Sequence, residues 1–209
     1  MTTRGRLRGT DDDVYDIILA DPPTRFETRS DRGKGRSPER HYPVMSTEAL
    51  CRLPVAGLAA DNAALFYWTT RPLLLGAPGS LSAPQQVIEA WGFRYATVAW
   101  TWVKTQRSGA GLHMGLGYYT RANAEFCLLA VRGRMPVAAH DVLDVILAPV
   151  REHSRKPDAQ YALIDRLYPN TRRLELFARR RWPGWDVWGN EIACDVVLEA
   201  GAVQEELGL

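Results

Sequence analysis

Apolar positions in this chain come in short runs separated by turn residues. Residues 14–20 read as a buried strand. Residues 64–70, rich in aromatics and ending in Thr, read as a second. A third covers 94–103, with Trp100 and Trp102 on one face because residues two apart share a face. Residues 125–131, 142–147, 173–178 and 185–188 complete seven predicted strands. One helix is predicted from the N-cap Ser46 through Leu53, where Pro54 stops it. Another runs from Gln85 to Trp91 with Gly92 just past its end. A third follows Pro157, with Tyr161, Ile164 and Tyr168 on its apolar face. Strands alternating with helices predict an α/β sheet with helices on its faces.

The remaining segments read as loops. Residues 1–13, basic and then acidic, are expected to be a disordered N-terminal segment, with 14–209 forming a single domain. From Arg25 to Arg40 the chain is nearly devoid of apolar residues and reads as a long loop, closed by His41-Tyr42-Pro43. Residues 76–84 read as a loop as well. Gly109, Gly111, Gly115 and Gly117 lack the G-x-G-x-x-G spacing, so residues 106–117 read as a flexible loop over a site and not as a dinucleotide fingerprint.

Composition narrows the function classes. The 209 residues suffice for one domain with a sizeable core. No apolar run is long enough to span a bilayer, and the polar start has no signal-peptide core, so a cytoplasmic location without membrane partners is expected. Cys51, Cys127 and Cys194 stand far apart, which argues against a zinc site or a disulfide framework and fits a reducing cytosol. No metal is expected. The net charge of +2 is unevenly spread. Arg29, Arg32, Lys34, Arg36 and Arg40 crowd one segment, and Arg172, Arg173, Arg179, Arg180 and Arg181 another. The first cluster reads equally as a solvated loop or as a contact to nucleic-acid phosphates.

The candidate chemistry begins where the first strand ends, at Asp21-Pro22-Pro23. Ligands of open α/β sheets bind beyond the carboxyl ends of strands, which is where this carboxylate would sit. An exocyclic amine on a base is a poor nucleophile because its lone pair is delocalised into the ring. Acceptors aimed at its two N–H bonds draw that pair out of conjugation. The Asp21 carboxylate and the Pro22 carbonyl make such a pair, with the carbonyl direction preset by proline. An ordinary Asp-Pro turn after a strand is the alternative for the tripeptide taken alone.

The chain reads, in order, ADPP, ERHYPVMS, EAWGF, TWVK, GYYTRAN, EFCLLAVRG, EHSRKPD, LELFAR and PGWDVWGNE. This series, from about Val14 to Glu191, resembles the MT-A70 family of S-adenosylmethionine-dependent adenine methyltransferases, and is most similar to its small bacterial and phage members. The resemblance implies a Rossmann-like methyltransferase sheet with permuted motif order, in which the D-P-P strand comes early and part of the cofactor site lies near the C-terminus. Asp21 matches the catalytic aspartate, flanked by Pro22 and Pro23. Tyr42 matches an aromatic gate near the target base, Glu125 a polar contact to that base, and Lys156 a lysine between cofactor and target. Arg179 matches a cofactor-binding arginine, and Asn190 with Glu191 the pair that closes on the cofactor's nucleoside. The implied activity is N6-methylation of adenine, unpaired or flipped from its duplex, with DNA ahead of RNA as substrate. A homo- or heterodimer stays open. The family motif is D-P-P-W, whereas the fourth position here is Thr24. Loss of that ring removes stacking of ~1–3 kcal/mol and keeps a second reading in view, a catalytically weakened binding subunit of the same family.

Overall fold

The computed structural model describes residues 14–24, 44–152 and 155–198. Seven strands of the described residues form one mixed sheet: β1 (Tyr15–Ala20), β2 (Ala59–Thr69), β3 (Arg94–Thr105), β4 (Glu125–Arg132), β5 (Val145–Pro149), β6 (Arg173–Leu176) and β7 (Asp186–Trp188). Their order across the sheet is β5-β3-β4-β2-β1-β6-β7. Only β4 is reversed, pairing antiparallel with both β2 and β3, while the other pairings are parallel. The seven predicted strands and the Rossmann-like α/β class are therefore present.

β1 is aliphatic without interruption from Ile17 to Ala20 because it is covered on both sides. Ile17 and Leu19 join Ala64, Phe66, Trp68, Trp100 and Trp102 on one face. Ile18 and Ala20 join Leu65, Tyr67, Leu174 and Leu176 on the other. Each such buried aliphatic contributes ~1.5–3 kcal/mol relative to exposure. Helix α3 (Ala159–Leu167) covers the first face through Tyr161 and Ile164. Helices α1 (Thr47–Arg52) and α2 (Ala83–Ala90) cover the second through Ala49, Leu50, Val87 and Ile88. Trp100 and Trp102 share a face as their spacing predicts, and Phe66 stacks on Trp100 at 5.0 Å between ring centroids.

Most element ends follow the local signals. Ser46 caps α1 by accepting the Ala49 N–H at 3.1 Å. Gly92 ends α2 with φ +81°, a conformation that suits glycine. Several boundaries move: β3 runs on to Thr105, and β5 covers Val145–Pro149 instead of 142–147. α2 starts at Ala83, two residues before the expected Gln85, because Ser82 and Gln85 form a reciprocal capping box and Pro84 is tolerated in a first turn. β2 begins at Ala59, since its opening residues Asp61 and Asn62 point to solvent and carry no apolar signal. β6 stops at Leu176 instead of residue 178, because Phe177 turns into the left-handed region at φ 60°. The second arginine cluster is largely engaged in ion pairs: Arg173 with Asp165 at 2.8 Å, Arg181 with Asp195 at 2.7 Å, and Arg180 with Asp158. No helix of the described residues is long and apolar enough to cross a membrane.

Candidate active site

The parallel strands β1, β2, β3 and β6 end at the same edge of the sheet at which the reversed β4 begins. Asp21 follows β1, Lys104 lies near the end of β3, and Glu125 is the first residue of β4. Lys156, on the loop before α3, completes the set. The Lys156 ammonium contacts Asp21 Oδ2 at 2.7 Å and Glu125 Oε2 at 3.3 Å. Lys104 pairs with the other oxygen of Glu125. The result is a chain of alternating charge, Lys104–Glu125–Lys156–Asp21, closed on one side by aromatic rings. Lys104 Nζ lies 4.7 Å from the Trp102 ring centroid and Lys156 Nζ 5.6 Å from that of Trp68.

The charges in this chain hold one another. Burial alone would push the Lys156 ammonium toward deprotonation, but the carboxylates of Asp21 and Glu125 together outweigh it and hold the group above the usual lysine range. Burial likewise opposes the charge on Glu125, and the Lys156 and Lys104 ammoniums overcome it, keeping the carboxyl below its ordinary value. Asp158 takes Arg151 at 2.7 Å, Arg155 at 2.9 Å and Arg180 as well. Arg151 also donates to the Lys156 backbone carbonyl, which fixes where that lysine leaves the chain.

The Asp-Pro-Pro turn is held from its far end. The Thr24 N–H donates to the Pro22 carbonyl at 2.8 Å and the Met45 N–H to the Pro23 carbonyl at 2.8 Å. The first is a three-residue turn centred on Pro23, whose ring suits the φ such a turn requires. One lone pair of the Pro22 carbonyl is thus engaged, and a carbonyl has two. A parallel bridge pairs Thr24 with Met45, so the segment carrying the first basic cluster leaves and rejoins the described chain beside Asp21. Tyr42, Arg29, Arg32, Lys34, Arg36, Arg40 and His153 lie outside the described residues.

A cavity of about 440 Å³ opens beside this turn. Its walls include Leu19, Asp21, Trp68, Lys156, Gln160, Tyr161, Glu175, Phe177, Arg179, Arg180 and Glu191. The close approach of Gly189 to Ala178 brings its last two elements together. The Ala178 N–H donates to the Trp188 carbonyl at 2.9 Å, and a Cβ at Gly189 would meet the Ala178 carbonyl at 2.1 Å. Arg179 and the Asn190-Glu191 pair therefore follow directly from one contact. Arg179 and Glu191 line the cavity, whereas Asn190 is exposed on the turn and is not one of the lining residues.

Asp21, Glu125 and Lys156, named from the sequence, thus meet in one ionic chain, with Arg179 and Glu191 on the same cavity. Lys104 and Glu175 were not named. Lys104 ends the TWVK word, a cation at a strand's carboxyl end. Glu175 is a carboxylate between the buried Leu174 and Leu176. It accepts from the Tyr161 hydroxyl at 3.0 Å. Burial raises its pKa to about 7; the Tyr161 bond opposes the rise, and the nearby Asp21 and Asp158 charges add to it. Trp68 is buried, lines the cavity, and donates its indole N–H to Gln160 at 2.8 Å.

The MT-A70 family model matches residues 15–191. The chain belongs to the MT-A70 family. It is 32% identical over 200 residues to the type II methyltransferase M.MunI of a Mycoplasma species, across 85% of this chain and 78% of that one. It is 31% identical over 184 residues to the human N(6)-adenosine-methyltransferase catalytic subunit METTL3, across 85% of this chain but 28% of the relative. An MT-A70-like N(6)-adenosine-methyltransferase of Arabidopsis thaliana is 31% identical over 182 residues, across 86% and 24%. The chain spans about three-quarters of the mycoplasmal relative and about a quarter of these two eukaryotic ones. The matched region of this MT-A70 chain contains every described member of the ionic chain and the cavity.

Proposed function

We propose that this MT-A70 chain methylates the N6 amine of adenine in nucleic acid, using S-adenosylmethionine, with DNA as first substrate and RNA as second. The observation that carries the reading is the placement of Asp21. It stands at the carboxyl end of β1, ion-paired to Lys156, on the wall of a cavity that also holds Arg179 and Glu191. The cavity lies within the ~300–1,000 Å³ common for small-molecule sites. Its residues suit the cofactor in kind. Arg179 and Lys156 offer cations for a carboxylate, Asp21 and Glu191 offer acceptors for an ammonium and ribose hydroxyls, and Phe177 and Trp68 offer flat apolar faces for a base.

S-adenosylmethionine, when bound, supplies an electrophilic methyl group. The chain's own residues do the rest. A carboxylate has about four acceptor sites, so Asp21 can hold Lys156 and still accept an N–H from the target amine. The second lone pair of Pro22 accepts the other N–H. Both bonds localise the nitrogen lone pair for in-line attack. The methyl group would pass from the donor's sulfur, which would keep the bond electrons, to N6, and Asp21 would take the surplus amine proton or pass it to solvent. Lys156, itself held by Glu125, positions Asp21. DNA stands first because the resemblance to small bacterial and phage members implies it. The cationic residues from Arg29 to Arg40 are proposed to contact backbone phosphates, since their segment begins and ends beside Asp21.

The test is transfer of labelled methyl to DNA and RNA oligonucleotides in parallel, with N6-methyladenine identified by mass spectrometry. Wild type should label DNA. Asp21→Asn should lose turnover far more than cofactor affinity, because a neutral amide replaces the charge-assisted acceptor. A folded, cofactor-binding protein that labels neither nucleic acid overturns the enzyme reading in favour of a binding subunit, the outcome Thr24 makes specific.

A further inference from the structure

The hairpin connection between β3 and β4, residues 106–124, is a built element and not a slack loop. Its root is pinned by Asn123, whose side chain accepts the Lys104 N–H at 3.0 Å and donates to the carbonyls of Lys104 at 2.8 Å and His113 at 2.6 Å. Its tip folds back on itself through Gly115 N–H to Ala122 carbonyl and Ala122 N–H to Leu116 carbonyl, both at 2.8 Å. Only glycine permits that closure: a Cβ at Gly117 would lie 1.9 Å from the Thr120 carbonyl oxygen and one at Gly115 2.3 Å from that of Ala122. Arg71, beyond β2, reaches Thr120 at 3.4 Å.

This folded tip carries Tyr118 and Tyr119 outward. Each is 85% exposed, and their rings meet edge to face at 5.0 Å. Two large aromatic faces held in water at the end of a braced turn serve nothing in the core. The charge around them has one sign: residues 106–124 include Arg107 and Arg121 and not one Asp or Glu. Aromatic faces with cations and without carboxylates suit a polyanion whose rings are unpaired. The feet of the loop are Lys104 and Glu125, two links of the ionic chain that ends on Asp21, so the loop rises from the edge of the sheet that carries Asp21.

We propose that Tyr118 and Tyr119 form a stacking surface for unpaired bases flanking the target adenine. The inference rests on the methyltransferase reading for the position of the strand, and supplies to neighbouring bases the stacking that Thr24 cannot give the target. It makes this loop the element that prefers single-stranded or opened nucleic acid.

The test compares wild type, Tyr118→Ala/Tyr119→Ala and Tyr118→Phe/Tyr119→Phe. Fluorescence anisotropy is read with single-stranded DNA and RNA oligomers and with an abasic DNA of equal length. Melting curves and S-adenosylmethionine affinity verify the fold. The alanine pair should weaken single-stranded binding about ten- to a hundredfold, the phenylalanine pair should stay close to wild type, and the abasic oligomer should not distinguish the three. If the alanine pair binds bases as well as wild type does, or loses the abasic oligomer equally, the inference is overturned. A change in self-association by sedimentation with oligomer affinity unchanged also overturns it and makes the tip a protein-docking face. Loss of affinity in the alanine pair of a protein that transfers no methyl group would leave the stacking surface standing and remove the methyltransferase reading. A wild type that binds cofactor but no oligomer removes both.

Discussion

Replacing Glu175 by Gln should change how stability depends on pH. The carboxyl lies between buried leucines on β6 and accepts from Tyr161 at 3.0 Å. Burial lifts its pKa from the ordinary 4.5 to about 7. At 1.36 kcal/mol per tenfold step, that gap corresponds to ~3 kcal/mol. The sign follows from proton counting. Below 4.5 the group is protonated in both folded and unfolded chains. Between 4.5 and about 7 the unfolded chain ionises while the folded one retains its proton, so the fold loses stability as pH rises. Above about 7 both are ionised and the loss is complete. Glutamine has nearly the same shape, still accepts from Tyr161, and never ionises. The stability of Glu175→Gln relative to wild type should therefore grow by up to ~3 kcal/mol between pH 4.5 and 8. Urea unfolding of both proteins at half-unit pH steps measures the difference, from which other titrating groups cancel. A difference that stays flat across the window would refute the reasoning, because Glu175 would then be ionising as an ordinary surface carboxylate. Cofactor affinity offers a second readout. A cationic ligand favours the ionised form, so wild-type affinity should rise across the same window and that of the variant should not.

Lys156→Met should destabilise the fold by ~3–5 kcal/mol, since it leaves the Asp21 and Glu125 carboxylates together without the cation between them; chemical denaturation at pH 7 measures it, and a loss under about 1 kcal/mol would mean the pair behaves as a surface ion pair. Thr24→Trp should raise methyl transfer at low oligonucleotide concentration by restoring a ring of ~1–3 kcal/mol, against a packing cost of similar size because Thr24 is half-buried and bridged to Met45; unchanged concentration dependence in a folded variant would show that the ring is not what limits target binding. Charge reversal at Arg32, Lys34 and Arg36 should weaken oligonucleotide binding and flatten its salt dependence; an unaltered salt slope would assign those residues to a solvated loop.

What the sequence revealed follows from which interactions are local. Strands buried on both faces announce themselves as continuous apolar runs, and β1 was legible for that reason. Caps and stops at Ser46, Gly92 and Pro54 are set by neighbours within a turn. β2's solvent-facing start at Asp61 and Asn62 carries no apolar pattern, and Phe177's left-handed turn has no composition signal, so those boundaries moved. Strand direction is equally silent: nothing in EFCLLAVR says that β4 runs backwards. Asp21 could be read from its place at the end of the first strand, but the rest of the site was legible through the resemblance, because its contacts cross great sequence distances, with Asp21 and Lys156 separated by 135 positions. Lys104 escaped notice because its role depends on Glu125 beginning the strand beside it, a pairing that the reversed direction of β4 creates.

That reversal carries a consequence for how this protein can change. β3 and β4 are adjacent and antiparallel, so residues 106–124 join neighbours and need not cross the sheet. A crossover must keep the length and covering face that its helix requires, whereas a hairpin end is free to grow, shrink or be exchanged entire. The cavity wall at β1, β6 and β7 would be untouched by such a graft. On the proposed roles, substrate preference and methyl-donor binding would sit on separately replaceable parts, and transplanting this loop between relatives would retarget the enzyme without rebuilding its donor site.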